Sequence, residues 1–237
     1  MPYSNVRQRQ RDMRYLSTDS ILTARHRDAA YQSVTLGIYR NFGKRLMDLV
    51  ICILSLPLVA PMIMILATII VVTGSTPFFS QTRIGQHGRP FRIWKLRTMV
   101  HDSDQVIEKY FQGNLDAQEE WRTTQKLKYD PRITAFGSFL RKTSLDELPQ
   151  IWNVLRADMS LVGPRPIMVN QKHFYPGTDY YNLRPGISGN WQVSMRNEST
   201  FVDRAAYDRR YNLTLSLRED MRILKDTVHV VLRATGY

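Results

Sequence analysis

The chain has 237 residues, 43% of them apolar, enough for one core of ordinary size plus a membrane element and too few for a second large domain. Its 33 Lys and Arg against 21 Asp and Glu leave a net charge of +12, which suits anionic lipid, phosphate-bearing substrates or nucleic acid. The single cysteine, Cys52, excludes a disulfide framework and a thiolate metal site, fits a reducing compartment and reads as a packing residue.

Residues 1–40 are rich in Arg, Gln and Ser without apolar periodicity. They are expected to be disordered or to lie on a membrane surface, where each basic residue adds about 1 kcal/mol of attraction to anionic lipid. A solvated tail without a role fits equally well. No cleavable signal peptide is expected, because the first apolar run starts only after residue 48 and no small-residue cleavage site follows closely. From Leu49 to Val72 the chain then carries no charge for 24 residues. A straight helix of that length would reach about 36 Å, enough for a hydrocarbon core of about 30 Å. Basic residues favour the cytoplasmic side, yet here they stand at both ends, Lys44 and Arg45 before the run and Arg83, Arg89, Arg92, Lys95 and Arg97 after it. Pro57 and Pro61 each lack an N–H and clash with the carbonyl four residues back, so they offer a place to turn. The expected element over residues 41–75 is a re-entrant helix-turn-helix hairpin confined to one leaflet. Its released carbonyls would be met by Ser55, Thr68, its own backbone or a packed surface. A Pro-kinked span and a buried core helix are the competing readings.

Residues 76–237 read as the soluble domain. In PFFSQTRIGQHGRPFRIWKLRTM, aromatic and aliphatic residues alternate with Arg and Lys, and Gly85, Gly88 and Pro90 mark the turn of a β-hairpin. Residues 101–129 turn acidic and polar, with Val106, Tyr110, Phe111 and Leu115 at helical spacing, and predict a peripheral helical insert that Asp130-Pro131 ends. RKTSLDELPQIWNVL predicts a helix, Gly163-Pro164-Arg165-Pro166 an extended exit, and Tyr207 to Leu232 further helix. The fold class is α+β: a membrane hairpin followed by a compact, mostly helical domain with a small antiparallel β-hairpin.

Asp146-Glu147 is the sharpest chemical candidate. Ser144 and Glu147 form a capping-box pattern, so both acids could simply be favourable charges in a first helical turn, although Pro149 would then sit past that turn; a helix starting at Pro149 is the other possibility. Adjacent residues on a helix project about 100° apart, so the two would not share a proton as a facing dyad does. They suit different jobs, one attacking a phosphorus while its neighbour helps hold a divalent metal such as Mg²⁺. Arg165, between two prolines, either binds phosphate bidentately or is a solvated residue on a rigid loop. In RPGISGNWQV, Gly186 and Gly189 offer tight turns or amides near a ligand, Trp191 stacking and Gln192 two-sided hydrogen bonding. Zinc spacing, a Walker loop and a dinucleotide fingerprint are absent, and Ser144 or Ser160 as a nucleophile would lack a named base.

KRLMD at 44–48, the proline-broken apolar run, FFSQTRIGQHGRPFRIWKLRTM, RKTSLDELPQIWNVLRADMSLVGPRP, RPGISGNWQV and YDRRYNLTLSLREDMRIL together resemble the bacterial sugar transferases, the monotopic polyprenyl-phosphate sugar-phosphate transferases. The resemblance runs from about residue 41 to the C-terminus and is to the small form of the family. Two departures are Ala60-Pro61, where the family often has Ser-Pro at the membrane break, and Thr76-Pro77, where it usually has Gly-Pro. The resemblance implies that Asp146 is a nucleophile, with Glu147 supporting Mg²⁺ or the reacting phosphate. It implies a UDP-sugar donor, galactose or glucose being favoured, and polyprenyl phosphate as acceptor, with UMP released at the cytoplasmic face of a bacterial inner membrane. Lys95, Arg97, Arg141, Arg165, Gln192 and Asp220 are the expected phosphate- or substrate-binding residues, Asp146 and Glu147 the metal-binding ones. Membrane lipid is an expected partner and nucleic acid is not, since the latter would explain the charge but not the uncharged run. The reading from another class is a non-catalytic basic module that recruits partners or anionic lipid to the membrane.

Overall fold

The structure is a computed structural model and describes residues 37–124, 127–194 and 201–232. The chain divides into Met1–Phe42, of which only 37–42 is described, and Gly43–Tyr237. The segment expected to be disordered or interfacial, 1–40, thus lies almost wholly outside the described residues.

Helix α1 (Lys44–Val72) is built from the apolar run, and among the described residues it is the one helix long and apolar enough to cross a membrane. Its buried residues are Lys44, Asp48, Cys52, Leu66 and Ile70, spaced so that they fall on one stripe, while Ile53, Leu54, Leu58, Met64 and Ile65 are exposed. The helix stops at a Schellman motif: Gly74 takes φ +84°, its N–H donates to Val71 O and that of Ser75 to Ile70 O.

The expected turn between two helices is absent, because α1 continues through both prolines. Pro61 follows Pro57 by four residues, so the two missing bonds, to the carbonyls of Ile53 and Pro57, fall on one face and the rest of the ladder carries the helix past them. Ser55 and Thr68 do not rescue those carbonyls either. Their hydroxyls donate to Cys52 O at 2.9 Å and Met64 O at 2.8 Å.

Strands β1 (Phe78–Ile84) and β2 (Pro90–Leu96) form the expected hairpin, in register from Phe78 opposite Leu96 to Ile84 opposite Pro90. Further along, β3 (Ser160–Val162), β4 (Ile167–Met168) and β5 (Gly186–Ser188) complete the sheets: β4 adds antiparallel to β1, and β3 pairs with β5 in parallel. Gly186 serves close backbone approach rather than a turn, since a Cβ there would lie 2.1 Å from the Gly163 nitrogen.

The insert comprises two helices, α2 (Ser103–Gln112) and α3 (Leu115–Thr124), with Phe111 against Trp121 at 6.1 Å; Leu115 is exposed and Ala117 is the residue that is buried. The run expected as one helix from Arg141 to Leu155 is instead three pieces. Helix α4 (Ala135–Lys142), capped by Thr134, ends before a 3₁₀ turn, Leu145–Glu147, and α5 (Gln150–Leu155) starts after Pro149. Ser144, in the left-handed region at φ +57°, ends the first piece, and Pro149, which has no N–H to donate, stands just before α5 rather than inside a longer helix. Helices α6 (Asn190–Ser194), α7 (Arg204–Thr214) and α8 (Leu217–Leu232) close the domain.

Both halves of α1 pack on the same body. Cys52 joins a core cluster with Ile93, Val154 and Met159, whereas Leu66 and Ile70 join one with Leu96 and Leu140. At its first turn Lys44 pairs with Asp220 at 2.8 Å, Arg45 donates to the carbonyls of Val154 and Leu155, and Asp48 accepts from Ser160 Oγ at 2.7 Å and Leu161 N at 3.1 Å. The KRLMD motif is therefore the fastener between the apolar helix and the domain.

Candidate active site

The chain reverses at Ser144, which takes φ +57°, and the 3₁₀ turn that follows presents Asp146 and Glu147 from a tight corner between α4 and α5. Ser144 makes no side-chain cap, so the capping-box reading of the pair fails. An α_L serine costs about 1–3 kcal/mol, and such strain is held where the surroundings over-determine it. Asp146 is only 7% exposed.

Lys95, from β2, reaches both carboxylates, its Nζ lying 2.7 Å from Glu147 Oε1 and 3.4 Å from Asp146 Oδ2. Arg165, on the Pro-Arg-Pro exit after β3, brings Nη2 to 3.5 Å from Glu147 Oε1. Arg141 donates from Nε to Thr98 Oγ1 at 2.9 Å; burial holds its guanidinium below the usual range, while Asp146 acts to raise it. Burial likewise pushes the Asp146 carboxyl above its ordinary value, Lys95 and Arg141 pull it down, and Glu147 adds to the rise. The result is a carboxylate more basic than a solvated one, held ready by cations rather than quenched by them.

Beside the pair opens a cavity of about 300 Å³, walled by Ser55 and Val59 of α1, Leu145, Leu148 and Ile151, Ile187, and Thr227, Val230 and Val231 of α8. Its polar lining includes Ser144, Glu147, Arg165 and Gln192. Gln192 is 8% exposed, and among the described residues neither its amide nitrogen nor its amide oxygen has a hydrogen-bond partner. A buried amide with four unmet hydrogen-bonding positions is costly unless something enters to meet them.

Of the residues expected at the site, Asp146, Glu147, Lys95, Arg141, Arg165 and Gln192 converge. Arg97 does not: its Nε donates to Thr76 O at 3.0 Å and it stacks over Phe79. Asp220 is a correction. It is wholly buried, paired with Lys44 and accepting from the Tyr211 hydroxyl, and has no surface to offer a substrate. Ser160 is spent on Asp48. Two residues were missed, Arg83 of β1 and Arg204 of α7, largely enclosed guanidiniums whose buried Nε has no hydrogen-bond partner among the described residues. Arg83 stands inside the strand motif QTRIG, where outward charge was the natural reading, and nothing local marks Arg204.

Among the described residues no three of His, Cys, Asp and Glu gather as a metal cage. Asp146 and Glu147 could still hold Mg²⁺, which characteristically takes one or two carboxylates and completes its shell with water and substrate phosphate.

Residues 39–234 match the family model of the bacterial sugar transferases. The chain belongs to that family. It is 40% identical over 199 residues to the exopolysaccharide production protein ExoY of Sinorhizobium fredii, covering 83% of this chain and 88% of that one. Over 198 residues it is 44% identical to the UDP-galactose-lipid carrier transferase of Erwinia amylovora and 43% identical to the undecaprenyl-phosphate galactose phosphotransferase of Salmonella typhimurium. Each of these two matches covers 83% of this chain and 42% of the relative, so the chain spans less than half the length of either. As a bacterial sugar transferase it is an enzyme.

Proposed function

We propose that the protein transfers a sugar phosphate from a UDP-sugar to polyprenyl phosphate and so initiates assembly of an exopolysaccharide or another lipid-linked glycan. The observation that carries this reading is the Asp146-Glu147 corner, with Lys95 and Arg165 on one side and an apolar cavity bordered by α1 on the other. Cations meet phosphates, and the cavity meets an isoprenoid chain.

In the first half-reaction an Asp146 carboxylate oxygen attacks the β-phosphorus. The bond from that phosphorus to the bridging oxygen breaks, UMP leaves with the electron pair, and the sugar phosphate stays on the carboxylate. In the second, a phosphate oxygen of the lipid attacks the same phosphorus and Asp146 leaves as the carboxylate. Lys95, Arg141 and Arg165 offset the charge on the equatorial oxygens from preset positions, which is the main thing phosphoryl transfer asks of a protein. Mg²⁺ held by Asp146 and Glu147 would neutralise phosphate charge. The relatives named for galactose make it the first donor to test, with glucose next.

The anchoring mode proposed is monotopic, with α1 re-entering one leaflet at the cytoplasmic face of the inner membrane. Both ends of α1 are bound to one domain, which could not lie on one side of a bilayer that the helix crossed. Cys52 and Leu66 would be about 21 Å apart on a straight helix. Pro57 and Pro61, where a helix bends most readily, are the proposed place of the bend that keeps both halves in one leaflet. Impermeant labelling of cysteines placed along α1 tests this: reaction from the far side of sealed vesicles would refute it.

The reaction is tested by UMP release from a panel of UDP-sugars by the full chain in detergent with Mg²⁺, with and without polyprenyl phosphate, beside Asp146→Asn. Release with one sugar that depends on the lipid for turnover and vanishes in the variant is the expected result. Folded protein that releases UMP from no donor would refute the reading.

A further inference from the structure

Arg165 lies 3.5 Å from Glu147, and Arg83 and Arg204 both stand close enough to Arg165 to be repelled by its charge. Arg83 lies opposite Met168 in the β1–β4 pairing, three residues from Arg165, and Arg204 stacks at 4.1 Å over Trp191, the neighbour of Gln192. Burial first, and then the charge of Arg165, takes both Arg83 and Arg204 down to about 10, with Arg83 adding to the effect on Arg204.

Compensating charge is short among the described residues. Glu147 is shared between Lys95 and Arg165. Asp208, the other carboxylate near Arg204, accepts from the Tyr175 hydroxyl at 2.7 Å and is itself pushed up by burial to about 7. Arg83 donates to a neutral acceptor, Gln81 Oε1, and Arg204 rests on the Trp191 and Phe201 rings, which leaves the buried Nε of each unmet. Clustered, largely enclosed guanidiniums with unmade donors and, among the described residues, too little matching negative charge are a costly arrangement that a bound anion relieves.

We propose that Arg83, Arg165 and Arg204 form a binding site for a phosphate monoester dianion, the phosphate of the nucleotide that leaves in the first half-reaction. This assignment of the ligand rests on the reaction proposed above. A lipid phosphate presents the same chemistry, but the apolar cavity that suits its chain is lined by Arg165 and by neither Arg83 nor Arg204. Arg165, which touches both Glu147 and this cluster, therefore stands where the β-phosphate and the departing phosphate separate.

The test is calorimetric binding of UMP to the full chain in detergent, without lipid acceptor, for wild type, Arg83→Gln, Arg204→Gln, Arg204→Lys and, as a control on the surface, Arg218→Gln. The KM for polyprenyl phosphate is measured in parallel. UMP affinity should fall about tenfold or more in each Gln variant, part of it returning with Arg204→Lys, while Arg218→Gln binds as wild type and the lipid KM stays put. Should Arg204→Gln not fold, Arg83→Gln and Arg204→Lys carry the test. Unchanged UMP affinity in folded variants overturns the site; a raised lipid KM with UMP affinity unchanged gives it to the lipid headgroup and overturns the assignment. Wild type that binds UMP through these arginines yet turns over no donor would refute the proposed reaction while upholding the site. Turnover with UMP affinity indifferent to Arg83 and Arg204 would refute the site alone.

Discussion

Replacing Lys95 by Met removes a cation that touches both carboxylates while keeping most of the side-chain volume. Asp146 is already raised by burial and by Glu147, and Lys95 is the strongest influence opposing that rise. A nearby cation favours the ionised carboxylate, so the acid limb of kcat/KM should move to higher pH in Lys95→Met. Stability follows the same sign. An acid whose folded-state pKa lies above its unfolded value binds more protons when folded, so folding weakens as pH rises through the interval between the two. Widening the interval adds about 1.4 kcal/mol of destabilisation per unit once the pH is above it. Lys95→Met should thus melt close to wild type in acid and well below it at alkaline pH. The assays are UMP release across pH and thermal melts of the same preparations. An acid limb that does not move, together with a melting deficit equal at all pH values, would mean that Lys95 merely fills space and would refute the electrostatic account of the corner.

Lys44→Met removes the cation paired with the buried Asp220 while the Tyr211 hydroxyl still donates to it, and should cost about 3–5 kcal/mol, read as a fall in Tm with little change in kcat of the folded fraction. A large loss of kcat at unchanged Tm would return Asp220 to the site. Gly186→Ala would set a Cβ 2.1 Å from the Gly163 nitrogen and 2.3 Å from Ser188 O, so β3 and β5 must part; a variant that expresses and melts like wild type would contradict that close approach. Asp208 carries its proton up to about pH 7, so its ionisation weakens folding as pH rises toward and past that value. Asp208→Asn should flatten this slope and gain on wild type in alkali, as pH-dependent melts would reveal.

The hairpin strands were legible because Gly85, Gly88 and Pro90 punctuate an alternating pattern that local sterics alone suffice to read. The corner was legible only as chemistry. Ser144, Glu147 and Pro149 admit either a capped helix or a break, and what decides is the burial of Leu145 and Leu148 against α1, residues distant in sequence. The continuity of α1 was misread for a related reason: proline predicts a lost bond, but whether the helix ends there depends on what packs on either side. Asp220 was misplaced because its partner, Lys44, lies 176 residues away. Arg83 and Arg204 carry no local signature at all, being defined by the fold that gathers them.

The site joins two solvents. A sugar nucleotide comes from water and an isoprenoid phosphate from lipid, so on the proposed reaction the attacked phosphorus must lie where both can reach while water, the competing acceptor, is kept from the carboxylate bearing the sugar phosphate. A nucleophile at a membrane-spanning helix would meet the lipid but not the nucleotide, and one on an exposed loop the reverse. Here the corner is tied to β2 through Lys95 and opens on a cavity whose far wall is α1 itself, so the anchor is part of the pocket rather than a tether to it. That arrangement explains why KRLMD is bound so firmly into the domain. Sliding the first turn of α1 would break Lys44–Asp220 and Asp48–Ser160 and move Ser55 and Val59 in the cavity wall, and so would disturb lipid access without touching either carboxylate.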